Sequence, residues 1–114
     1  MVKPVAYLIL AHTDPANCVR LVNRLLEDPA SYVFVHIDLK SREDFSRVFA
    51  LDGQRVRSVK ERFKVYWAGF NMVKATLASM REAAASECNF GYYALLSGLD
   101  YPLKTCKRNS QLLL

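Results

Sequence analysis

Apolar and polar positions fall along the chain in blocks that predict strands separated by helices. The first block is a continuous apolar run at residues 5–11, typical of a strand that is buried on both faces. Asp14 followed by Pro15 is a strong start signal for a helix, which we expect to end before Pro29. Within it, apolar side chains recur on one face, at Cys18, Leu21, Val22, Leu25 and Leu26.

The pattern continues in the rest of the chain. Residues 32–37 are rich in β-branched and aromatic side chains and predict a second strand. Ser41 with Asp44 resembles a capping box that opens a short helix to about Ala50. Weaker strand signals follow at residues 55–59 and 64–67.

A long helix is predicted from a cap at Asn71 to about Ala85, followed by a last strand at residues 92–96. The helix places four apolar residues on one face: Val73, Leu77, Met80 and Ala84. Strands that alternate with helices form βαβ units, whose crossovers make the strands parallel. Residues 1–114 therefore predict one Rossmann-like α/β domain, with a mostly parallel sheet and flanking helices.

Composition narrows the class of protein. Apolar residues make up 52% and charged residues 24% of the chain, as in ordinary globular proteins. The net charge of +5 favours an anionic partner. However, apolar residues and Glu61 interrupt the basic residues between Arg55 and Lys64, so we interpret them as a solvated face rather than a nucleic-acid surface.

The three cysteines form no CxxC pair, which argues against a disulfide framework or a zinc site and favours a reducing compartment. Residues 5–11 are too few to span a bilayer.

Small or polar residues follow every predicted strand. In open α/β sheets, ligands bind outside the carboxyl ends of the strands, so we expect one ligand site there. The candidate binding residues at these ends are Ala11, His12, Asp38, Trp67, Gly69, Ser97, Gly98 and Asp100.

Several of these residues have a structural as well as a functional interpretation. Asp38 can accept a hydrogen bond from a base N–H or a ribose hydroxyl, or it can cap the next helix. His36 lies inside a strand, and we favour a core histidine over a catalytic one. Gly98 permits a tight turn and close approach to a ligand, while Asp100 is either a ligand-binding carboxylate or a turn former.

The absence of several motifs means that the sequence supports neither a nicotinamide-dependent enzyme nor a phosphate-cradling ATPase. The chain has no Gly-rich dinucleotide fingerprint, no P-loop and no GxSxG elbow. It also has no Asp-x-Asp pair, which many nucleotide-sugar transferases use to hold a divalent metal.

Four stretches, AYLILAHTD, YVFVHIDLKS, VYWAGFNMVKATL and YYALLSGLDYPLKT, together resemble the core-2/I-branching β-1,6-N-acetylglucosaminyltransferases, which are related to the peptide O-xylosyltransferases. The resemblance covers roughly residues 4–106. It implies the nucleotide-binding half of a GT-A glycosyltransferase, which transfers a sugar from a UDP-sugar to a glycan or other acceptor hydroxyl with inversion and without a metal. No other cofactor is implied.

The resemblance also assigns roles to residues. Ala11, His12 and Asp38 would face the uridine, and Ser97, Gly98 and Asp100 would lie near the ribose and the donor sugar. Trp67 and Gly69 occupy a WGG-like element, from which Ala68 departs. The family's general base is a glutamate in a later part of the chain, so we expect the catalytic base beyond residue 114.

The sequence also leaves a second function open, a flavodoxin-like or receiver-like binding module without catalysis. A domain truncated at its C-terminus could also self-associate through an unfinished sheet edge. Because no membrane anchor is found in this sequence, we expect a bacterial-type cytoplasmic protein rather than a Golgi one.

Overall fold

The computed structural model describes residues 3–66, 69–86 and 88–99. Strands and helices alternate within them, in the order β1 (Val5–Ala11), α1 (Pro15–Leu25), β2 (Ser31–Ile37), α2 (Ser46–Phe49), β3 (Val56–Ser58), α3 (Phe70–Ala85) and β4 (Tyr92–Ser97). The four strands form one sheet in the order β3-β2-β1-β4, and every pair of neighbours is parallel. The predicted Rossmann-like α/β class is confirmed.

The register of the central strand brings the strand ends together. Val5 of β1 pairs with Ser31 of β2 and Tyr92 of β4, while Leu10 pairs with His36 and Ser97. The carboxyl ends of these three strands therefore lie at one edge of the sheet, and the amino ends lie at the other. This arrangement creates the edge at which the sequence predicts a ligand.

Each face of the sheet is covered by helices. The α1 and α2 face packs on alternate residues of β1 and β2, including Tyr7, Ile9 and Val35. The α3 face packs on Ala6, Leu8 and Phe34. Because both faces are covered, β1 is apolar at every position, which explains its continuous run in the sequence.

The start of α1 follows the sequence signals. Asp14 adopts a left-handed backbone (φ 55°), and its carboxylate accepts the Asn17 N–H at 3.1 Å, while Pro15 is the first helical residue. Cys18 is fully buried under this helix, as predicted. Burial raises the pKa of the Cys18 thiol to about 11, so the side chain is a protonated core residue at neutral pH.

The predicted capping box is wrong. The second helix begins at Ser46 instead, because Ser41 has another partner: its hydroxyl donates to the His12 carbonyl oxygen at 2.6 Å. Asp44 accepts the Ser46 N–H at 2.9 Å just before the helix.

Two further local predictions differ from the structure. Asn71 does not cap α3, since it lies inside the helix and its amide donates to the Lys64 carbonyl oxygen at 3.0 Å. Residues 64–66 form no strand, and Trp67 lies outside the described residues.

The apolar face predicted for α3 is also wrong. Val73, Leu77 and Met80 are 52%, 50% and 37% exposed, and Ala84 is exposed as well. The helix instead buries its small residues, Ala75, Ala78, Ser79 and Ala83. Small side chains let the helix axis approach Phe34 and Leu8 closely, so the packing selects size over hydrophobicity.

Arg55 joins α1 to the strands around it. Its guanidinium donates to the carbonyl oxygens of Leu26 (2.9 Å), Asp28 (2.9 Å) and Ser31 (3.1 Å), and it also contacts the Asp52 carboxylate. This residue, at the start of the basic stretch, therefore has a structural role instead of facing solvent freely.

No helix within the described ranges is long and apolar enough to cross a membrane.

The face of α3 can be tested with two adjacent alanines. Ala83→Leu inserts three carbons into a fully buried position and should lower the free energy of unfolding by about 1–3 kcal/mol. Ala84→Leu, on the exposed face, should change it by less than about 0.5 kcal/mol. Urea denaturation followed by circular dichroism measures both values, and equal losses would contradict the observed orientation.

Candidate functional site

A cleft of about 420 Å³ opens at the carboxyl edge of the sheet. Its walls come from the ends of β1, β2 and β4, from residues 65–66 and from Met72 of α3. This is the edge where open α/β sheets bind ligands.

Five of the predicted binding residues line this cleft: Ala11, His12, Asp38, Ser97 and Gly98. Gly69 does not line it. It precedes the first residue of α3, and its N–H donates to the Tyr66 carbonyl oxygen at 2.9 Å, between Tyr66 and Met72, which do line the cleft. Trp67 and Asp100 lie outside the described residues.

Gly98 holds the end of β4 against the end of β1. Its N–H donates to the Leu10 carbonyl oxygen at 2.9 Å, and its own carbonyl oxygen accepts the Asn17 side-chain amide at 3.0 Å. A Cβ at Gly98 would lie 3.2 Å from both Cα and Cβ of Ala11. The missing side chain of Gly98 therefore lets β4 approach the end of β1, and the predicted approach of a ligand to this glycine stays a prediction.

Replacing Gly98 tests this contact. Gly98→Ala should destabilise the fold by about 1–2 kcal/mol, because Ala11 must move by a few tenths of an ångström to admit the methyl group. Gly53→Ala is the matched control, since a Cβ there meets no atom within 4 Å. The control should be neutral or slightly stabilising. A neutral Gly98→Ala in urea denaturation would show that the approach is not tight.

Asp38 is the buried carboxylate of the cleft, with 4% of its surface exposed. Oδ1 accepts the Lys40 N–H at 2.8 Å, and Oδ2 accepts the Val65 N–H at 3.2 Å with the Lys40 ammonium 3.6 Å away. The alternative role as a helix cap is wrong, because α2 begins only at Ser46. A carboxylate offers about four lone-pair positions, so these contacts leave room for a further donor from a ligand.

Residues 62–66, here called the docked segment, form one wall of the cleft. Arg62 donates to the carbonyl oxygens of Ile37 (2.7 Å) and Asp38 (3.2 Å) at the end of β2. The Leu39 N–H donates to the Phe63 carbonyl oxygen at 3.1 Å. The wall is thus fastened to the strand that carries Asp38.

Lys40 completes that wall. Its ammonium donates to the Val65 carbonyl oxygen and lies 3.9 Å from the centre of the Tyr66 ring. Lys40 and Tyr66 were not among the predicted site residues. Lys40 is only two residues after Asp38 in the sequence, so its position near the site follows from that of Asp38. The position of Tyr66 depends instead on how the docked segment folds back, which no local sequence pattern encodes.

His36 is fully buried beneath the cleft. Its Nε2 accepts the Phe63 N–H at 3.0 Å, and the two rings are stacked with an interplanar angle of 8°. Burial is the largest cause that lowers the pKa of His36 below its ordinary 6.5, and Arg62 acts in the same direction. A hydrogen bond with the backbone of His36 itself and the charge of Asp38 oppose this lowering. The side chain is a core residue, as favoured from the sequence, although it also forms part of the cleft.

The start of α1 lies beside the cleft but is poorly suited to a phosphate. Helix N-termini bind anions through free N–H groups. Here the Asp14 carboxylate already accepts the Asn17 N–H, and Pro15 has no N–H to offer. Within residues 3–66, 69–86 and 88–99, no three His, Cys, Asp or Glu side chains gather as metal ligands would.

Comparison with known proteins identifies the family. The chain matches the model of the core-2/I-branching enzymes over residues 5–113. It belongs to this family. The resemblance noted in the sequence is thereby confirmed, and the match favours a glycosyltransferase over the flavodoxin-like or receiver-like alternative.

Curated relatives agree with this membership. A human β-1,3-galactosyl-O-glycosyl-glycoprotein β-1,6-N-acetylglucosaminyltransferase is 29% identical over 116 residues, covering 90% of this chain and 24% of its own length. A probable enzyme of the same name from Sus scrofa is 28% identical, covering 91% and 25%. The xylosyltransferase oxt of Drosophila melanogaster is 24% identical, covering 89% and 12%. The chain thus spans about a quarter or less of the length of these relatives.

The relatives overturn the expected location. They are animal glycosyltransferases of the Golgi type, which are not cytoplasmic. The expectation of a bacterial-type cytoplasmic protein was therefore wrong. It rested on the lack of an anchor in a sequence that covers only a small part of these longer relatives.

Proposed function

We propose that this chain forms the donor-nucleotide-binding part of a glycosyltransferase that uses a UDP-sugar. The transferred group is a hexosyl or N-acetylglucosaminyl residue, and the acceptor is a hydroxyl of a glycan or a similar molecule. The observation that carries this proposal is the cleft at the carboxyl edge of the sheet, with the buried Asp38 carboxylate in its wall.

The cleft has the size and chemistry that a nucleoside needs. Its 420 Å³ falls within the range of about 300–1,000 Å³ that is usual for small-molecule sites. Leu10, Val65 and Leu96 contribute apolar surface, which suits the faces of a uracil ring. Asp38 supplies an acceptor for the single ring N–H of uracil or for a ribose hydroxyl.

The diphosphate needs positive charge from elsewhere. Lys40 is the only Lys or Arg among the described lining residues, and its ammonium already contacts Val65 and Asp38. We propose that basic side chains beyond residue 114 take the charge of the departing UDP without a metal. A carboxylate in that part would take the acceptor's proton while the acceptor oxygen displaces UDP from the anomeric carbon, inverting its configuration.

Calorimetric titration with UDP tests the proposed pocket. The chain should bind UDP, and Asp38→Asn should weaken binding by about tenfold or more, because a charged hydrogen bond is lost. Asp44→Asn is the matched control: this exposed carboxylate also accepts one backbone N–H, from Ser46, but lies outside the cleft.

The controls separate binding from folding. Asp38 also holds the docked segment, so circular dichroism and urea midpoints must show that Asp38→Asn is folded. Absence of binding heat with the unaltered chain would reject the pocket. Equal affinities for the unaltered chain and a folded Asp38→Asn would reject the role of Asp38.

A further inference from the structure

The His36 ring lies between the end of β2 and the docked segment, and it bonds that segment directly. The backbone N–H of Phe63 is always a donor, so the Nε2 atom of His36, 3.0 Å away, must be the acceptor. A neutral imidazole that accepts at Nε2 carries its proton on Nδ1. The contact therefore fixes both the charge and the tautomer of the ring.

Protonation of the ring would break this contact. An imidazolium carries hydrogen on both nitrogens and accepts no hydrogen bond. Its Nε2–H would point at the Phe63 N–H, donor against donor. The Nδ1 atom carries hydrogen in both forms and is buried without a hydrogen-bond partner in the described structure. The backbone of His36 itself favours the charged ring, but burial outweighs it and the pKa of His36 is lowered.

The charged groups around His36 do not offset this cost. Asp38 favours the imidazolium but is engaged by Lys40 and by the Val65 N–H, and Arg62 of the docked segment disfavours it. From the other packed elements, Leu10 of β1 pairs with His36 in register, and Met72 of α3 lines the same cleft. Neither of these two side chains titrates.

We propose that His36 is a positioning residue of the nucleotide cleft, which holds the docked segment as a neutral imidazole and releases it when protonated. The link to binding rests on the function proposed above. Loss of the Phe63 contact weakens the attachment of the segment that carries Val65, whose N–H donates to Asp38 and which lines the cleft. Nucleotide affinity then falls as His36 gains its proton.

The tautomer and the release can be measured without ligand. Long-range ¹H–¹⁵N NMR of the full 114-residue chain should show His36 as the neutral Nδ1–H form at pH 7.5. Amide exchange at Phe63, corrected for the intrinsic pH dependence of exchange, should lose protection as the His36 ring titrates. An Nε2–H tautomer, or Phe63 protection that is unchanged after His36 is protonated, would overturn the proposal.

The effect on binding should be measured with UDP-GlcNAc rather than UDP. Both phosphates of UDP-GlcNAc are esterified, whereas the terminal phosphate of UDP titrates near pH 6, like other phosphomonoesters. The association constant should be constant above about pH 6.5 and fall below the pKa of His36 found by NMR. The limiting slope is about tenfold per pH unit, as expected for one proton.

Two variants test whether the pH dependence of binding comes from His36. His36→Gln keeps an acceptor near the Nε2 position but does not titrate, so binding should persist at pH 7.5 while the pH dependence disappears. His12→Gln removes the only other histidine and should keep the pH dependence, whatever its affinity. A slope that survives in His36→Gln, or vanishes in His12→Gln, would overturn the proposal.

Failure of the two proposals looks different. If UDP-GlcNAc binds at no pH, the proposed function and its link to His36 both fail, while the NMR results still decide whether His36 holds the docked segment. If UDP-GlcNAc binds with an affinity that does not change as His36 titrates, the nucleotide cleft stands and the role of His36 fails.

Discussion

The cleft exists because the docked segment is bonded to the end of β2. That end supplies two carbonyl acceptors to Arg62, the Leu39 N–H to the Phe63 carbonyl oxygen, and two side-chain acceptors, His36 Nε2 and Asp38 Oδ2, to backbone N–H groups of the segment. Without these contacts the carboxyl edge of the sheet would be an open rim instead of a walled site. Since Asp38 and His36 also form part of the cleft, the groups proposed to serve the ligand are the groups that build its wall.

This dual use has a physical basis. A buried carboxylate or imidazole is costly unless its polar atoms are satisfied. The backbone of the docked segment satisfies one such atom of each side chain, His36 Nε2 and Asp38 Oδ2. The same contacts hold the side chains rigidly, so little conformational entropy remains to be lost when a ligand binds. Gly98 contributes in another way, because its missing side chain lets β4 meet the end of β1 at Ala11.

The sequence predicts those parts of the fold that are encoded locally. The apolar run of β1, the Asp14–Pro15 start of α1 and the burial of Cys18 depend on neighbouring residues alone, and all three are confirmed. The parallel order follows from the alternation of strands and helices. Because parallel strands end at one edge, five candidate binding residues were brought together by topology rather than by any motif.

Long-range contacts account for the errors. The capping box failed because Ser41 donates to the distant His12 carbonyl oxygen. The apolar face predicted for α3 was wrong because the sheet admits only small side chains there, and the periodicity of hydrophobic residues does not reveal a limit on side-chain size. The wall formed by Val65 and Tyr66 was missed for a similar reason, since its position is set by partners more than twenty residues away.

The account depends on the nucleotide lying at the carboxyl edge of the sheet, and UDP titration of the ¹⁵N-labelled chain tests this most directly. We expect the largest amide shifts at Ala11, Asp38 and Gly98, which line the cleft. The register partners at the amino edge, Val5, Ser31 and Tyr92, should move little. Shifts centred on those three amino-edge residues would contradict the account.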